Sequence, residues 1–594
     1  MRKMTMPSEP TDKLDAPSAL AGGVSGPKDP NSDWHQINWR RAEREVRRLR
    51  QRIFTASRAG DLARVRRLQE LMLRSRSNAL VSVRRVTERN AGRLTAGVDS
   101  EVVVTPEAKM QLADRIQHDT DTFKALPVRR VYIPKPGGKT KRPLGIPAIL
   151  DRAHQARVVN ALEPEWEARF EPKSYGFRPG RGCHDATEAI YQVIKGKAPK
   201  RLWVLDADLA GAFDRVSHHH ILSMVGSFPA KGTIRQWLRA GVVEDGRLHR
   251  TEEGTPQGGV VSPVLLNIAL HGMEQAAGVR YLSSGSIRVD SPALIRYADD
   301  FIAVCHTRQQ ALEIKARLAA WLAPRGLALN EQKTRIVMLS EGFDFLGFNV
   351  RRYGTKSLIM PSKAAVRRIR QRLRAELWSL RGSNAPAVIK RLNPIIRGWA
   401  AYYRTQASSK TFDTLDNYLW QLTHKWATFS HDNKPKRWVI ARYFGKFNKA
   451  RNDRWVFGDR ASGAYLHRFA WTSIARHQIV RHRASPDDPD LAEYWAWRRH
   501  KTPLPVNNTE AWLLRSQDGR CHACNGTLHV AANRPQTPQD WEQWLIGNRA
   551  TITTIMAPVP GTTGTAERHL IHTDCANRSH HTPDATKACL SRMH

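Results

Sequence analysis

Four aspartates lie at the ends of two short apolar segments, where their carboxylates could hold metal ions. The segment WVLDADLAGAFD contains Asp206 and Asp208. The segment RYADDFIAVC contains Asp299 and Asp300. Successive side chains of a strand point to opposite faces, so Asp299 and Asp300 would be separated in a continuous strand. We therefore predict a tight hairpin turn at these two residues, which presents a carboxylate at the strand tip. Together with the upstream acids, it would suit two divalent cations that clamp the attacking and leaving oxygens of a phosphoryl transfer.

Six further blocks accompany the acidic motif in a fixed order. They read PKPGGKTKRPLGIPAILDRAHQ (134–155), YGFRPGRGCHDA (175–186), VLDADLAGAFDRVSH (204–218), GTPQGGVVSPVLLNIAL (254–270), GLALNEQKT (326–334) and FDFLGF (343–348). Over roughly residues 35–480 this series resembles the reverse transcriptases, and more narrowly those encoded by group II introns. Downstream, RLNPIIRGWAAYYR (391–404) resembles the maturase segment of that family.

The resemblance implies that Asp208, Asp299 and Asp300 are catalytic ligands of two Mg²⁺ ions. Asp206 lies two positions earlier, on the same face of the strand as Asp208, and competes for the first role. Asp208 is preferred because the family motif places an aromatic residue five positions after the catalytic acid, where Phe213 stands.

The resemblance also assigns nucleotide-binding roles. The Phe213 ring would lie beneath the sugar and exclude a ribose 2′-hydroxyl, and Gln257 would touch the incoming nucleotide from the palm. Lys135 and Arg142, on a Gly-rich hairpin of the fingers, would bind the triphosphate, since arginine can fork two phosphate oxygens. Lys333 would support the same charge.

The C-terminal region contains paired metal-ligand residues. Cys521 and Cys524 form a Cys-x-x-Cys knuckle, and His572 and Cys575 follow further on, which suits one tetrahedral zinc. His580, His581 and Cys589 are substitute ligands, and reduced cysteines without metal are the alternative. The arrangement resembles the His-Asn-His endonuclease module of the family. However, ITTIMAPVPG lacks the expected histidines and Ala576 follows the last cysteine, so we expect no DNA cleavage.

Composition indicates a polyanionic partner. The 594 residues include 95 Lys and Arg against 55 Asp and Glu, a net charge of +40. The resemblance to group II intron proteins implies which partners these are: group II intron RNA, an RNA template with its primer, deoxynucleotides and target DNA. Arg47, Arg48 and Arg50, on a basic helix, are expected to contact the intron RNA. No apolar run is long enough for a membrane span, and the protein is expected to be in the cytoplasm of a bacterium, associated with the nucleoid.

The fold class implied by the resemblance is α+β with several domains: a right-hand polymerase with an antiparallel palm sheet, a helical thumb and a zinc-stapled module. The predicted domains are a disordered tail (1–33), a basic helical N-terminal extension with the start of the fingers (34–126), the fingers and palm (127–354), the helical thumb or maturase domain (355–482), a linker (483–508) and a zinc-binding, DNA-binding module similar to the His-Asn-His endonucleases (509–594).

The predicted function is RNA-directed DNA synthesis, assistance to intron splicing and support of intron mobility by target-primed reverse transcription. Two alternatives remain open at this stage. One is a domesticated RNA-binding maturase with little polymerase activity, and the other is a reverse transcriptase recruited to defence. The intact acidic motif argues against the first, and the maturase and zinc segments argue against the second.

Overall fold

The computed structural model describes residues 34–118, 123–134, 141–501, 512–514, 516–517, 520–523, 528, 535–558, 566–573 and 575–576. The predicted tail, Lys135 and Cys524 lie outside these residues.

The N-terminal region is helical, as its apolar periodicity predicts. Helix α1 begins after Asn38, whose side-chain oxygen accepts a hydrogen bond from the Arg41 backbone nitrogen (3.0 Å). Its apolar face buries Val46 and Ile53, while its arginines cover the opposite face. The helices of this region are α1 (Trp39–Arg58), α2 (Leu62–Arg74), α3 (Arg76–Arg84) and α4 (Pro106–His118).

The fingers contain a four-stranded sheet in the order β2-β1-β4-β5. Strands β1 and β2 form an antiparallel hairpin, while β1 and β4 pair in parallel. The buried helix α5 follows β2. The elements are β1 (Val128–Pro134), β2 (Lys141–Ile146), α5 (Ile149–Glu167), β4 (Val242–Glu244) and β5 (Arg247–His249).

The palm contains an antiparallel four-stranded sheet in the order β6-β7-β3-β8, as predicted. Alternate residues of its strands face two hydrophobic clusters, one around α8, α10 and α12 and one around α6 and the thumb. The elements are α6 (Cys183–Ile194), β3 (Trp203–Asp208), α7 (Ala212–Arg215), α8 (His218–Val225), α9 (Lys231–Arg239), α10 (Ser262–Ala269), α11 (Met273–Ala276), β6 (Ala293–Tyr297), β7 (Asp300–Cys305), α12 (Arg308–Leu322) and β8 (Arg335–Met338).

The thumb is mostly helical and packs on the palm through a small sheet. Trp399, Tyr402 and Tyr403 are buried in this core, as expected for aromatics on an apolar helix face. The elements are β9 (Phe343–Phe345), β10 (Phe348–Tyr353), β11 (Lys356–Pro361), α13 (Lys363–Ser379), α14 (Ala385–Tyr403), α15 (Ser409–Ser430), α16 (Lys436–Tyr443), β12 (Phe444–Gly445) and β13 (Val456–Phe457).

The first part of the segment predicted as a linker is packed against the rest of the protein. Ser485, Asp487 and Asp488 are buried, and α17 (Ala492–Lys501) follows them. Further elements are α18 (Pro538–Thr551) and a two-stranded sheet of β14 (Ile552–Pro558) and β15 (Ala566–His572). Among the described residues, every helix is too short or too polar to cross a membrane.

Candidate polymerase site and nucleic-acid interface

The β6–β7 hairpin brings the acidic motif to the end of strand β3. Tyr297 pairs with Asp300 across a turn made by Ala298 and Asp299. Asp300 also pairs with Asp208, the last residue of β3. Directly opposite residues of antiparallel strands point to the same sheet face, so Asp208 and Asp300 lie side by side. The predicted hairpin is therefore present, and it brings the three acids together.

The hairpin turn is held by close backbone contacts. Ala298 has a φ of +57°, a left-handed conformation that is uncommon outside glycine. The buried Arg296 guanidinium donates to the Ala298 carbonyl (3.1 Å) and to Asn267 Oδ1 (2.9 Å). A β-carbon at Gly176 would lie 2.3 Å from the Ala298 nitrogen, so only glycine fits there. Sequence reasoning missed Arg296, although it directly precedes the acidic motif.

The three carboxylates repel one another. Burial raises the pKa of Asp300, and the charge of Asp299 and a hydrogen bond shared with Asp208 raise it further. Burial also raises the pKa of Asp299, against the opposing charges of Arg142 and Lys333. Two carboxylates with raised pKa values beside a third carboxylate fit divalent cations, because bound cations relieve this repulsion.

The two acids of strand β3 have different neighbours. Asp208 accepts a hydrogen bond from the Lys333 ammonium, and this contact raises the pKa of Lys333. Asp206 forms an ion pair with Arg335 (3.0 Å) and lies opposite Ile302 on the neighbouring strand. Asp208 is thus adjacent to the hairpin acids. Asp206 lies two residues earlier on β3 and is paired with Arg335.

Phe213 is buried close to the same site, in the short helix α7. The Phe177 ring packs against it in a T-shaped arrangement, with ring centroids 6.1 Å apart and an interplanar angle of 78°. Phe177 has a φ of +60° and is half exposed. Sequence reasoning missed this aromatic neighbour, although it lies within the block YGFRPGRGCHDA.

Gln257 joins the palm to the fingers. Its carbonyl accepts a hydrogen bond from the Gly145 backbone nitrogen of β2 (2.7 Å). A β-carbon at Gly258 would lie 2.7 Å from the Gly145 carbonyl oxygen, so this approach requires glycine. The buried Oε1 atom of Gln257 has no hydrogen-bond partner among the described residues. Arg142 lies exposed on the same strand as Gly145.

Three of the four predicted zinc ligands are described, and they lie together. The ligand atoms of Cys521, His572 and Cys575 are all within 4.8 Å of one another. Strand β15 ends at His572, whose Nδ1 atom is 3.8 Å from Cys575 Sγ. The fourth predicted ligand, Cys524, is outside the described residues.

Two basic surfaces could contact nucleic acid. On α1, Arg47 and Arg48 are exposed, whereas Arg50 is held in ion pairs with Glu163 and Asp487. Arg50 therefore does not offer its charge to RNA, contrary to the sequence-based expectation. The second surface is a groove of the thumb between α13 and α15. Its cationic side chains are Lys363, Arg367, Arg370, Arg374 and Lys410.

Three family models match consecutive parts of the chain. Residues 34–116 match the N-terminal domain of reverse transcriptase, and residues 133–350 match reverse transcriptase (RNA-dependent DNA polymerase). Residues 366–444 match the group II intron maturase-specific domain.

Several relatives and solved structures are similar to parts of this chain. Protein YkfC of Escherichia coli is 32% identical over 57% of this chain and 97% of that protein. The group II intron-encoded protein LtrA of Lactococcus lactis is 30% identical over 39% of this chain, which spans only 49% of LtrA. The match to a telomerase structure from Candida albicans covers 54% of this chain and 65% of the telomerase chain, with 15% identity and a TM-score of 0.31.

The chain belongs to the group II intron-encoded reverse transcriptases that carry a maturase domain. It is an RNA-directed DNA polymerase with a splicing maturase function, and it binds intron RNA and nucleic-acid substrates. Its reverse transcriptase domain implies the use of a divalent metal ion.

Proposed function

We propose that Asp208, Asp299 and Asp300 hold two Mg²⁺ ions at the polymerase site. The observation that carries this assignment is the direct pairing of Asp208 with Asp300 beside the Asp299 turn. When bound, the ions would lower the pKa of the primer 3′-hydroxyl and neutralise the triphosphate. The ion pair with Arg335 supports Asp206 as a structural neighbour of the site.

Other residues bind and orient the nucleotide in this proposal. Arg142 and Lys333 contact the triphosphate, because their positive charges lie close enough to Asp299 to oppose the rise of its pKa. Lys135 would add a third cation. The unpartnered Gln257 Oε1 supports a contact with the incoming nucleotide. Phe213, supported from the side by Phe177, excludes a ribose 2′-hydroxyl.

The maturase activity uses surfaces and not carboxylates. Exposed arginines of α1 and the basic groove of the thumb would contact phosphates of the folded intron RNA, which itself performs the splicing chemistry. In the thumb groove, the Arg370 guanidinium lies 4.2 Å from the centre of the Tyr418 ring and is thereby held at the surface.

The C-terminal module would hold one structural zinc and bind target DNA without cutting it. The clustering of Cys521, His572 and Cys575 supports the zinc, with Cys524 as the fourth ligand. Strand β14 contains no histidine, and Ala576 follows Cys575. The matching nuclease would need imidazoles at these places, as a base for water or as ligands of a catalytic metal.

Intron mobility without a nuclease requires another primer for DNA synthesis. A nascent strand at a replication fork would supply a 3′-hydroxyl, and target-primed reverse transcription could start there. This hypothesis predicts that insertions favour one orientation relative to replication. An insertion map without strand bias, or cleavage of the bottom strand of a target site by purified ribonucleoprotein, would contradict it.

Substitution of the carboxylates tests the polymerase assignment. Asp299→Asn should reduce primer extension on an RNA template by orders of magnitude, since removal of a metal ligand abolishes charge stabilisation of the transition state. Asp208→Asn should do the same, and Asp206→Asn should retain more activity. A larger loss at Asp206 than at Asp208 would reverse the assignment.

Splicing provides the matched control for the same variants. The double variant Asp299→Ala, Asp300→Ala should still bind intron RNA and promote splicing at low magnesium, because the carboxylates are not part of the proposed RNA surface. If this variant folds but neither binds nor splices, the separation of the two activities is wrong.

A further inference from the structure

Helix α18 packs on the thumb as an integral part of its core. A β-carbon at Gly398 of α14 would lie 2.7 Å from the Glu542 backbone nitrogen, so the two helix backbones touch at this glycine. Trp541 is buried in the same hydrophobic cluster as Trp399. Glu542 is also buried and forms an ion pair with Arg372 of α13 (2.7 Å). These contacts fix the start of α18 relative to the polymerase.

The residue before the α18 cap reaches into the palm. Thr537 and Asp540 cap the helix reciprocally: the Thr537 nitrogen donates to Asp540 Oδ2 (3.0 Å), and the Asp540 nitrogen donates to Thr537 Oγ1 (3.1 Å). Gln536 precedes this cap, and its Oε1 atom accepts hydrogen bonds from the Cys183 backbone nitrogen (2.7 Å) and the Tyr297 hydroxyl (3.2 Å). A β-carbon at Gly182 would lie 2.7 Å from Gln536 Oε1, so glycine leaves room for the amide.

The Tyr297 hydroxyl thus connects this amide to the hairpin of the polymerase site. Tyr297 and Asp300 form the closing pair of the hairpin, and Asp300 is also paired with Asp208. All three side chains share one face of the sheet. A displacement of the Tyr297 ring would therefore act on the backbone that carries the carboxylates.

We propose that Gln536 is a positioning residue of the polymerase site, which fixes Tyr297 and through it the hairpin with Asp299 and Asp300. The C-terminal region then serves DNA synthesis itself, in addition to any contact with target DNA. Gln536 links the hairpin to the start of α6 through its Oε1 atom, and it links both to the thumb through α18, which it precedes. This proposal rests on the proposed metal-binding role of the carboxylates. The mobility of the hairpin backbone, however, can be measured independently of that role.

A mutant cycle on Gln536 and Tyr297 tests the inference. Tyr297→Phe and Gln536→Leu should each lower kcat for primer extension on an RNA template by about threefold to tenfold, the effect of one hydrogen bond, with little change in the KM for deoxynucleotide. The double variant should be no slower than the slower single variant. Gln536→Glu should retain most of the rate, because a carboxylate can accept both hydrogen bonds.

Hydrogen exchange provides a readout that does not depend on catalysis. The amides of residues 297–301 should exchange faster in Tyr297→Phe and Gln536→Leu than in the unmodified protein. Gln543→Leu, on the exposed side of the same helix, is the control and should change neither exchange nor rate.

Two results would overturn the proposal. One is a Gln536→Leu protein with unchanged kcat and unchanged exchange in the hairpin. The other is a double variant whose losses multiply. If Gln536→Leu does not fold, Tyr297→Phe decides alone, since it leaves the Cys183 bond intact; unchanged exchange at residues 297–301 would then reject the proposal. Asp299→Asn should lose primer extension while the amides of residues 297–301 exchange at the normal rate. This result would distinguish the metal-binding role of the carboxylates from the positioning role of Gln536.

Discussion

The Arg50 guanidinium forms a forked pair with Asp487, a residue 437 positions further along the chain. Its Nε atom donates to Oδ1 (2.8 Å) and its Nη2 atom donates to Oδ2 (2.7 Å). The same Nη2 atom donates to Glu163 of α5 (2.7 Å). Three distant parts of the chain are thus joined by one largely buried cation, which ties the N-terminal helices to the segment after the thumb.

Removal of this cation should destabilise the protein. We expect Arg50→Ala to lower the free energy of unfolding by about 3–5 kcal/mol, because two carboxylates are left buried without their counter-ion. Urea unfolding measures the change. Arg48→Ala, on the exposed side of the same helix, is the matched control and should stay within about 0.5 kcal/mol of the unmodified protein. Equal stability of the two variants would contradict the structural role of Arg50.

Charge reversal at Arg47 and Arg48 should weaken binding of intron RNA. Both side chains are exposed on α1. Each phosphate contact that is lost should also make the slope of log affinity against log salt concentration shallower by about one. Filter binding over a series of salt concentrations gives both quantities. Primer extension on an unrelated template should be largely retained. Unchanged affinity and slope would place the RNA contact elsewhere.

Phe213→Ala should relax the choice between deoxynucleotides and ribonucleotides. The smaller side chain leaves space for a 2′-hydroxyl, and we expect relative ribonucleotide incorporation to rise by at least about tenfold. The measurement is the ratio of kcat/KM values for the two nucleotides, which does not depend on the folded fraction. Because Phe177 packs against Phe213, Phe177→Ala should show a smaller change in the same direction. An unchanged ratio for Phe213→Ala would exclude the steric role.

Metal analysis of the full-length protein should give about one zinc per chain, since the proposed site is a single tetrahedral one. Cys521→Ser should release that zinc and increase proteolysis of the C-terminal region, because the binding energy of a structural zinc is also folding energy. Cys305→Ser, in the palm core, should retain the metal. A zinc content that is unchanged in Cys521→Ser would show that this cysteine is not a ligand.

The residue pattern was sufficient to predict the polymerase hairpin and the helices of the thumb. Asp299 follows one apolar strand and Asp300 begins the next. In a continuous strand the two acids would face opposite sides of the sheet, so a shared site predicts a turn at this point. Trp399, Tyr402 and Tyr403 lie at helical spacing on an apolar face, and they are buried accordingly. These features depend on residues that are close in the sequence, so local periodicity is enough to find them.

The sequence alone determined the class of protein and the acidic cluster, and it predicted that Cys521, His572 and Cys575 lie together, because each of these features is contained in short motifs. Only the tertiary structure decided that Arg50 serves an ion pair with Asp487 and that Gln536 contacts the Tyr297 hydroxyl. These partners are separated by hundreds of residues, and no local pattern records which distant segments will meet. Packing of the whole chain determines such contacts, because burial of the apolar faces fixes where each polar side chain finds its partner.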